Sequence, residues 1–334
     1  MRSVRRYFEV RVIAVVNQKG GSGKTTTAVN LAAVLAARRQ RTLLVDLDPQ
    51  GHCALALGIP AARIEHGIEE ALLQGSGTKL LDEGLFWEPA QSLVVAPCTV
   101  NLAMLEAPQG PLHDAPDRDR RLGGLLDRLA SRFQWCIIDC PPHIGLLVFN
   151  ALRACDEALV PVETGFFALK AAQRQVATIR AAAARLERSI TVRVLPTLMR
   201  RESRISQDIL AAIERTFPGD MVPLAIQEHD VLREAASFGQ AVTEYAPTSE
   251  ARGDFESLAD WLHAQPLVSQ REGGVPAGSD LTNPDAALMA RLTAPRAGTR
   301  AVDPPVVEVE RPAAETRLAE VAQRLKSPKA ANSP

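Results

Sequence analysis

Apolar positions along this chain fall in short continuous runs that alternate with longer alanine-rich segments. The apolar runs predict β-strands at 12–17, 42–48, 93–97, 135–139, 158–162 and 192–197. The alanine-rich segments predict helices at 25–39, 120–132, 169–186, 206–216 and 249–263. Strands that are apolar at nearly every position are typical of parallel strands covered on both faces. The alternation therefore predicts one three-layer α/β domain, a mainly parallel sheet flanked by helices.

The composition changes near position 265. Residues 265–334 contain nine of the 23 prolines and only scattered apolar positions. Such a segment buries too little apolar surface to offset the entropy of ordering it. We therefore predict a flexible lead at 1–10, a folded domain at 11–264 and a disordered tail at 265–334. Within that tail the sequence predicts a short helix at 313–326.

Charge, cysteine content and hydropathy narrow the function classes. The 38 basic residues nearly cancel the 39 acidic ones, so any binding to nucleic acid needs a local basic patch. The five cysteines form no CxxC pair and no cluster with histidine. We interpret them as free or buried thiols of a reducing cytoplasm rather than as disulfides or a metal site. No apolar run approaches the ~18 residues of a membrane-spanning helix, so we expect a cytoplasmic protein without stable membrane insertion.

The segment 17–26, which reads NQKGGSGKTT, lies between the first predicted strand and the first predicted helix. Its end, Gly23-Lys24-Thr25, matches the phosphate-binding pattern G-x-x-x-x-G-K-[ST], but Gln18 stands where the first glycine belongs. A Rossmann dinucleotide loop fits less well, because Thr26 takes the place of its final glycine. The strand-loop-helix context therefore favours a phosphate-binding loop with an altered beginning.

The chemistry of this loop follows from its residue types. Its glycines allow backbone N–H groups to converge on an anion, and the helix that follows adds the positive end of its dipole. In such loops the lysine, here Lys24, contacts the β- and γ-phosphates, and the hydroxyl of Thr25 binds Mg²⁺. The segment therefore predicts binding of ATP with Mg²⁺.

Carboxylates end two other predicted strands. Asp46 and Asp48 end the second strand in LLVDLDPQG, and Asp139 ends the fourth in WCIIDCPP. An acid at the end of a buried strand is costly unless it faces a cation or hydrogen-bond donors. Asp139 suits the Mg²⁺-associated acid of a P-loop ATPase, and Asp48 suits a group that orients or activates the attacking water. Each could instead cap a proline-containing turn.

Together these segments resemble one family. VNQKGGSGKTTTAVNLA, LLVDLDPQG and IIDCPP are similar to the motifs of the P-loop ATPases with a deviant Walker A loop, and within them to the ParA-type partition ATPases. FFALKAAQR and AASFGQAVTEYAPTSEA resemble later blocks of the same family. The resemblance covers 11–264 and implies a P-loop NTPase fold.

The resemblance also implies roles for single residues. Lys19 matches the signature lysine, which in this family reaches across an ATP-bound homodimer to the phosphates of the other subunit. Lys24 matches the loop lysine, and Thr25 matches the Mg²⁺ ligand. Asp48 matches the acid that is linked to hydrolysis. Asp139 matches the Walker B acid, which also lies at the metal. The expected nucleotide contacts are Lys19, Gly20, Gly21, Ser22, Gly23, Lys24, Thr25 and Thr26. Lys19, Lys24 and Asp48 are the expected catalytic residues.

Two later segments depart from the family pattern. ParA-type proteins usually bind non-specific double-stranded DNA through arginines in the segments that correspond to 197–204 and 226–237. Here these segments carry acids, Glu202, Glu228 and Asp230, near positions that are commonly basic. Four arginines could form a replacement patch: Arg200, Arg201, Arg204 and Arg233. A solvated charged face is the alternative. Glu163 also stands where the family often has glutamine.

The function implied by the resemblance is a dimerising ATP switch with slow hydrolysis, stimulated by a ParB-like partner or a cargo adaptor. It would partition a chromosome or plasmid, or position another cargo, and would associate with the nucleoid in its ATP state. A MinD-like regulator on a membrane surface is the alternative, and would need an amphipathic terminal helix. Amide-forming ligases such as cobyrinic-acid amidases, and nitrogenase-type reductases, fit less well. The former need a glutamine-hydrolysing domain, and the latter paired cluster cysteines.

Overall fold

The computed structural model of the chain describes residues 10–82, 84–165 and 168–266. The predicted lead at 1–10 lies outside these ranges except for Val10, and the predicted tail at 265–334 lies outside them except for its first two residues. The helix predicted at 313–326 is also outside. These three assignments therefore stay predictions.

The described residues form one sheet of seven strands. The strands are β1 (Arg11–Val15), β2 (Thr42–Asp46), β3 (Trp87–Ala90), β4 (Leu93–Ala96), β5 (Trp135–Asp139), β6 (Glu157–Glu163) and β7 (Thr191–Thr197). Their order across the sheet is β3-β4-β2-β5-β1-β6-β7. Every neighbouring pair is parallel except β3 and β4, which run antiparallel. The predicted mainly parallel sheet is therefore confirmed.

Helices cover both faces of the sheet. They are α1 (Lys24–Ala37), α2 (His52–Ala56), α3 (Ile68–Gln74), α4 (Arg121–Leu129), α5 (Leu146–Ala154), α6 (Ala168–Arg185), α7 (Arg204–Thr216), α8 (Asp230–Ser237), α9 (Val242–Tyr245) and α10 (Glu250–Ala264). Short 3₁₀ turns lie at Ala61–Arg63, Gly75–Gly77 and Val100–Leu105. None of the helices in the described ranges has the length and apolarity needed to cross a membrane.

The continuous apolar strands arise because the sheet has a core on each face. Along β1, Val12 and Ala14 belong to the core that contains α4, α5 and α6. Ile13 and Val15 belong to the opposite core, with α1 and α10. Successive side chains of a strand point to opposite faces, so a strand covered on both sides is apolar at every position. This gives the three layers expected from the sequence.

Several elements differ from the sequence prediction. The first two strands end at Val15 and Asp46 rather than at 17 and 48, because the following residues turn away from the sheet to form the site. Strand β3 and helices α2, α3, α5, α8 and α9 were not predicted. Strand β3 contains a proline at an edge and has no fully buried position, so its apolar signal is weak.

The topology places a crevice beside β1. From β1 the chain first crosses to β2 on one side of the sheet and only later to β6 on the other. In open α/β sheets ligands bind at the carboxyl ends of the strands where the order reverses in this way. The loop between β1 and α1, residues 16–23, lies at that point.

Candidate nucleotide-binding site

The loop between β1 and α1 is shaped by two left-handed glycines. Gly21 has φ 74° and Gly23 has φ 85°, a region that other residues enter only with strain. Gly23 is the N-cap of α1, and no side chain caps that end of the helix. The first N–H groups of α1 are therefore left for an anion, as in other helix-terminal phosphate sites.

Neighbouring strands hold this loop in place. The side-chain amide of Asn17 donates to the carbonyl oxygen of Pro161 at 2.6 Å and accepts the N–H of Lys19 at 3.0 Å. Thr197 donates its hydroxyl to the carbonyl oxygen of Ser22 at 2.9 Å. The N–H of Gln18 donates to the side chain of Gln175 at 3.1 Å. Residues from β6, α6 and β7 thus fix the loop by hydrogen bonds.

The two loop lysines differ in environment. Lys24 is buried, and its Nζ lies 3.4 Å from the carbonyl oxygen of Lys19, so it is folded back over the loop. The Lys19 side chain is 40% exposed, and its ammonium pairs with the carboxylate of Glu163 at the end of β6. Lys24 therefore faces the space within its own loop, whereas Lys19 extends beyond it.

Two aspartates meet at the carboxyl ends of β2 and β5. Asp46 and Asp139 occupy directly paired positions in the parallel ladder and are both fully buried. Thr25 donates its hydroxyl to Asp139 Oδ2 at 2.7 Å, while Asp139 Oδ1 has no hydrogen-bond partner among the described residues. Burial raises the pKa of Asp139 to about 6 and, with the charge of Asp139, raises that of Asp46 well above its ordinary range.

This arrangement fits a divalent cation. A buried carboxylate oxygen without a partner is costly, and a cation beside Asp139 would satisfy it. The hydroxyl of Thr25 and the carboxylate of Asp139 are both oxygen ligands of the kind that Mg²⁺ prefers. Metal binding would require the ionised form of Asp139, and the cation would offset the cost that burial imposes on it.

Asp48 lies in the turn that follows β2. It is 7% exposed, and its N–H donates to Asp46 Oδ1 at 3.1 Å. Its own Oδ1 accepts the N–H of Gln50 at 3.1 Å, while its carbonyl oxygen accepts the Cys98 thiol at 3.0 Å. The carboxylate is therefore held in one orientation beside the loop. Its bond with the N–H of Gln50 also caps the turn, which is the alternative role that the sequence suggested.

The remaining loop residues divide between buried and exposed positions. Ser22 is fully buried and its hydroxyl has no partner among the described residues, whereas Gly20 and Thr26 are exposed. Thr25 and Thr26 line a cavity of about 260 Å³ between α1, α2 and α8. The cavity is also lined by the polar side chains of Asn30, His52 and Gln240, and by apolar residues of the three helices.

Three contributors to the site were not predicted. Thr197 and Gln175 contact the loop from β7 and α6, and the Cys53 thiol donates to Asp139 Oδ2 at 3.4 Å. For Thr197 a signal exists, since a polar residue ends a predicted buried strand just as Asp139 does. Nothing in the spacing of Gln175 or Cys53 points to the loop.

The two segments with altered charge lie side by side. The N–H of Met199 donates to the carbonyl oxygen of Ile226 at 3.1 Å, and the N–H of Glu228 donates to the carbonyl oxygen of Met199 at 3.0 Å. Glu228 then pairs with Arg200 and, at 2.7 Å, with Arg233. These two bonds lower the pKa of Glu228 to about 2, so it is ionised at neutral pH.

The four arginines of the predicted patch are therefore not equivalent. Arg200 and Arg233 share Glu228, and Arg233 also pairs with Asp230 at 2.5 Å. Arg201 and Arg204 are exposed and form no ion pair within the described ranges. Two of the four positive charges are thus partly neutralised by acids of the same surface.

The cysteines agree in part with their interpretation from the sequence. All five are free and buried, and the sulfur atoms of Cys98 and Cys140 contact only backbone carbonyl oxygens among the hydrogen bonds of the described residues. Cys53 differs, because its partner is a carboxylate of the site.

Comparison with known proteins agrees with this geometry. A family model described as an AAA domain matches residues 10–192. The chain is 32% identical over 250 residues to the sporulation initiation inhibitor protein Soj of Bacillus subtilis, covering 75% of this chain and 96% of that protein. It is 36% identical over 236 residues to the chromosome partitioning protein ParA of Myxococcus xanthus, covering 70% and 81%.

A solved structure extends the comparison to the fold. Cobyrinic acid a,c-diamide synthase from Mycobacterium smegmatis, with bound ADP and magnesium, has a TM-score of 0.63 and 27% identity and covers 76% of this chain and 94% of its own. The sheet, the glycine loop and the buried aspartates define a P-loop NTPase. The chain belongs to the AAA-domain family and, within it, to the ParA-type partition ATPases. The resemblance seen in the sequence is confirmed, and the protein is an ATPase.

Proposed function

We propose that this chain is a switch that dimerises around ATP, hydrolyses it slowly, and binds non-specific double-stranded DNA in the ATP state to partition a chromosome or plasmid or to position another cargo. The observation that carries the proposal is the position of Lys19. It belongs to the phosphate loop, yet its side chain is 40% exposed and its ammonium extends out of the loop. If a second subunit faces the loop, this lysine is in a position to contact the phosphates that the second subunit binds.

The residues around the loop have separate tasks in this proposal. The N–H groups of Gly21 and Gly23 and the ammonium of Lys24 bind the phosphates of ATP. Thr25 and Asp139 would hold Mg²⁺, which would supply positive charge to the phosphates of ATP. The other loop residues, Lys19, Gly20, Ser22 and Thr26, complete the nucleotide contacts.

Hydrolysis depends on Asp48 and on the second subunit. Asp48 is held beside the loop by the N–H of Gln50, and we assign it the orientation of the attacking water. Lys19 of each subunit adds positive charge at the other's phosphates, where it stabilises the transition state. An isolated subunit has no lysine from a partner at its phosphates. Hydrolysis is therefore coupled to dimerisation.

A pair of lysine variants tests this division of roles. Lys24→Ala removes a charge-assisted contact made within one subunit and lowers ATP affinity about 10–100-fold. Lys19→Ala keeps ATP binding within a few-fold but abolishes ATP-dependent dimerisation and most hydrolysis. Lys79→Ala, at an exposed lysine outside the site, is the matched control. Unchanged dimerisation and hydrolysis in both loop variants would overturn the proposal.

DNA and a partner complete the cycle. The surface of Arg200, Arg201, Arg204 and Arg233 is proposed to contact the phosphate backbone in the dimer, which places the ATP form on the nucleoid within the cytoplasm. A ParB-like protein or cargo adaptor stimulates hydrolysis and releases the dimer. The test is retention of the protein on duplex DNA of random sequence. Retention that requires ATP and falls steeply with salt supports this step. The absence of retention at low salt excludes it.

An amide-forming synthase is the second candidate, because such an enzyme is among the structural neighbours. The two partition proteins are more similar in sequence to this chain. Phosphate release measured with and without a carboxylate substrate and ammonia distinguishes the two functions. The switch hydrolyses ATP without either substrate, whereas the synthase requires both.

A further inference from the structure

The thiol of Cys53 is part of the carboxylate cluster at the ends of β2 and β5. Cys53 is the second residue of α2, which begins directly after the turn at 49–51. Its N–H donates to Asp46 Oδ2 at 3.0 Å and its Sγ lies 3.4 Å from Asp139 Oδ2. One potential ligand atom from each of these three residues lies within 4.8 Å of the other two, and all three residues are fully buried.

A second observation points to a ligand among these groups. Asp139 Oδ1 is buried and has no hydrogen-bond partner within the described ranges. Its other oxygen already accepts from Thr25 and from the Cys53 thiol. A buried carboxylate oxygen without a hydrogen-bond donor is costly, and a cation held by this carboxylate and the two neighbouring residues would satisfy it.

The spacing agrees with a small tetrahedral metal. Zinc binds sulfur at about 2.3 Å and carboxylate oxygen at about 2.0–2.2 Å, so two such ligands in a tetrahedron lie about 3.5 Å apart. The observed separation of Cys53 Sγ and Asp139 Oδ2 is 3.4 Å. These two atoms are therefore spaced for one ion, and a ligand oxygen of Asp46 lies within 4.8 Å of both.

We propose that Asp46, Cys53 and Asp139 form a site for a thiophilic divalent cation such as Zn²⁺, Co²⁺ or Cd²⁺, which binds without nucleotide. On binding, the S–H bond of Cys53 breaks, its proton passes to the buffer, and a metal–sulfur bond forms. The hydroxyl of Thr25 or a water completes the coordination. Mg²⁺ does not share this preference, because it is a hard cation that selects oxygen ligands.

The site has a consequence for the ATPase. Asp139 is common to the thiophilic site and to the proposed Mg²⁺ position, so one ion excludes the other from that carboxylate. A thiophilic cation therefore holds the protein in a form that cannot place Mg²⁺ beside Thr25. The binding reaction itself does not rest on the proposed switch function, and it is measured in the absence of ATP.

Cobalt titration of the reduced full-length chain, without nucleotide, tests the site. A thiolate ligand gives a sulfur-to-cobalt charge-transfer band in the near ultraviolet, which exposed histidine or carboxylate sites do not produce. The wild type is expected to develop this band to one equivalent of Co²⁺. Excess Zn²⁺ or Cd²⁺ should remove it, whereas excess Mg²⁺ should leave it in place.

Three variants test which side chains bind the Co²⁺ ion that produces the charge-transfer band. Cys53→Ser keeps the shape of the side chain and should lose the band, while Cys98→Ser, at a thiol bonded only to a backbone carbonyl, should retain it. Asp46→Asn should lower Co²⁺ affinity at least about tenfold. Circular dichroism confirms that each variant is folded. Absence of the band in the wild type, or its persistence in folded Cys53→Ser, would overturn the proposal, whatever the outcome of the ATP-dependent experiments.

Discussion

Lys19 and Glu163 form an ion pair that joins the phosphate loop to the end of β6. Their side chains are 40% and 35% exposed, and an ion pair of such exposure contributes at most about 1 kcal/mol. Within one subunit, Glu163 therefore competes only weakly with a phosphate for Lys19. In the proposed dimer, the pair would restrain the lysine without preventing its transfer to the nucleotide of the second subunit.

The first prediction concerns this restraint. Glu163→Gln removes the charge that holds Lys19 and should stabilise the ATP dimer by up to about 1 kcal/mol, a roughly fivefold change in dimerisation constant. Sedimentation equilibrium with ATP and with ADP measures it. Asp260→Asn, which neutralises the acid of a surface pair with Arg38, is the matched control. Weaker dimerisation in Glu163→Gln would show that Glu163 supports the dimer.

The second prediction separates hydrolysis from binding at Asp48. Asp48→Asn retains an oxygen that can accept the N–H of Gln50 but removes the charge available to a water. We expect hydrolysis to fall about 100-fold or more, as for a lost general base, while ATP affinity stays within about twofold. Phosphate release and equilibrium nucleotide binding measure the two effects. A parallel loss of both would assign Asp48 to binding or folding instead.

The third prediction concerns the acids of the arginine surface. Glu228→Gln releases Arg200 and Arg233 from their shared partner and removes an anion that would repel the backbone of DNA bound at the proposed surface. ATP-dependent binding to duplex DNA of random sequence should strengthen at moderate salt. The slope of log affinity against log salt concentration should become steeper by an amount that corresponds to about one or two additional phosphate contacts. Because the pKa of Glu228 is about 2, changing pH between 6 and 8 should not reproduce the effect. Unchanged retention in this variant would remove Glu228 from the DNA surface.

The fourth prediction uses the two arginines without ion pairs in the described ranges. Arg201→Ala and Arg204→Ala should each weaken retention across all duplex sequences and reduce the salt slope by about one. Arg215→Ala is the control, since Arg215 is an exposed arginine at the far end of the helix that Arg204 begins. If all three variants behave alike, the surface acts through net charge rather than through a defined patch.

How far the sequence predicts this molecule depends on whether contacts are local. The phosphate loop and the aspartates at strand ends are local features, each readable from a motif of about ten residues. The pair between Lys19 and Glu163 joins residues 144 positions apart, and no pattern in either segment indicates it. Likewise, the sequence around Arg200 does not indicate its ion-pair partner. Glu228 is brought beside Arg200 by the pairing of Met199 with Gln227.

The missed elements have the same explanation. Helix α5 follows the Pro141-Pro142 turn and contains the apolar run Leu146–Phe149, which is too short to distinguish a helix from a strand by periodicity. Cys53 lies on a helix of five residues, which has too few positions for a helical pattern. Its contact with Asp139 depends on how β2 and β5 pair, and that is a property of the whole sheet.

The last prediction concerns the close approach of Gly58 and Gly239, near the cavity that Thr25 and Thr26 line between α1, α2 and α8. Gly239 has φ 67°, and a Cβ there would lie 2.7 Å from Gly58 Cα, so both the backbone conformation and the space exclude a side chain. Gly239→Ala should lower the free energy of unfolding by about 1–3 kcal/mol and weaken ATP binding, because Gly239 follows α8, which lines the cavity. Gly253→Ala is the control: it lies within α10 with nothing within 4 Å of its Cβ position, and should stabilise the protein by about 0.5–1 kcal/mol. Chemical denaturation of both variants measures the difference, and equal stability would contradict the close packing of these two turns.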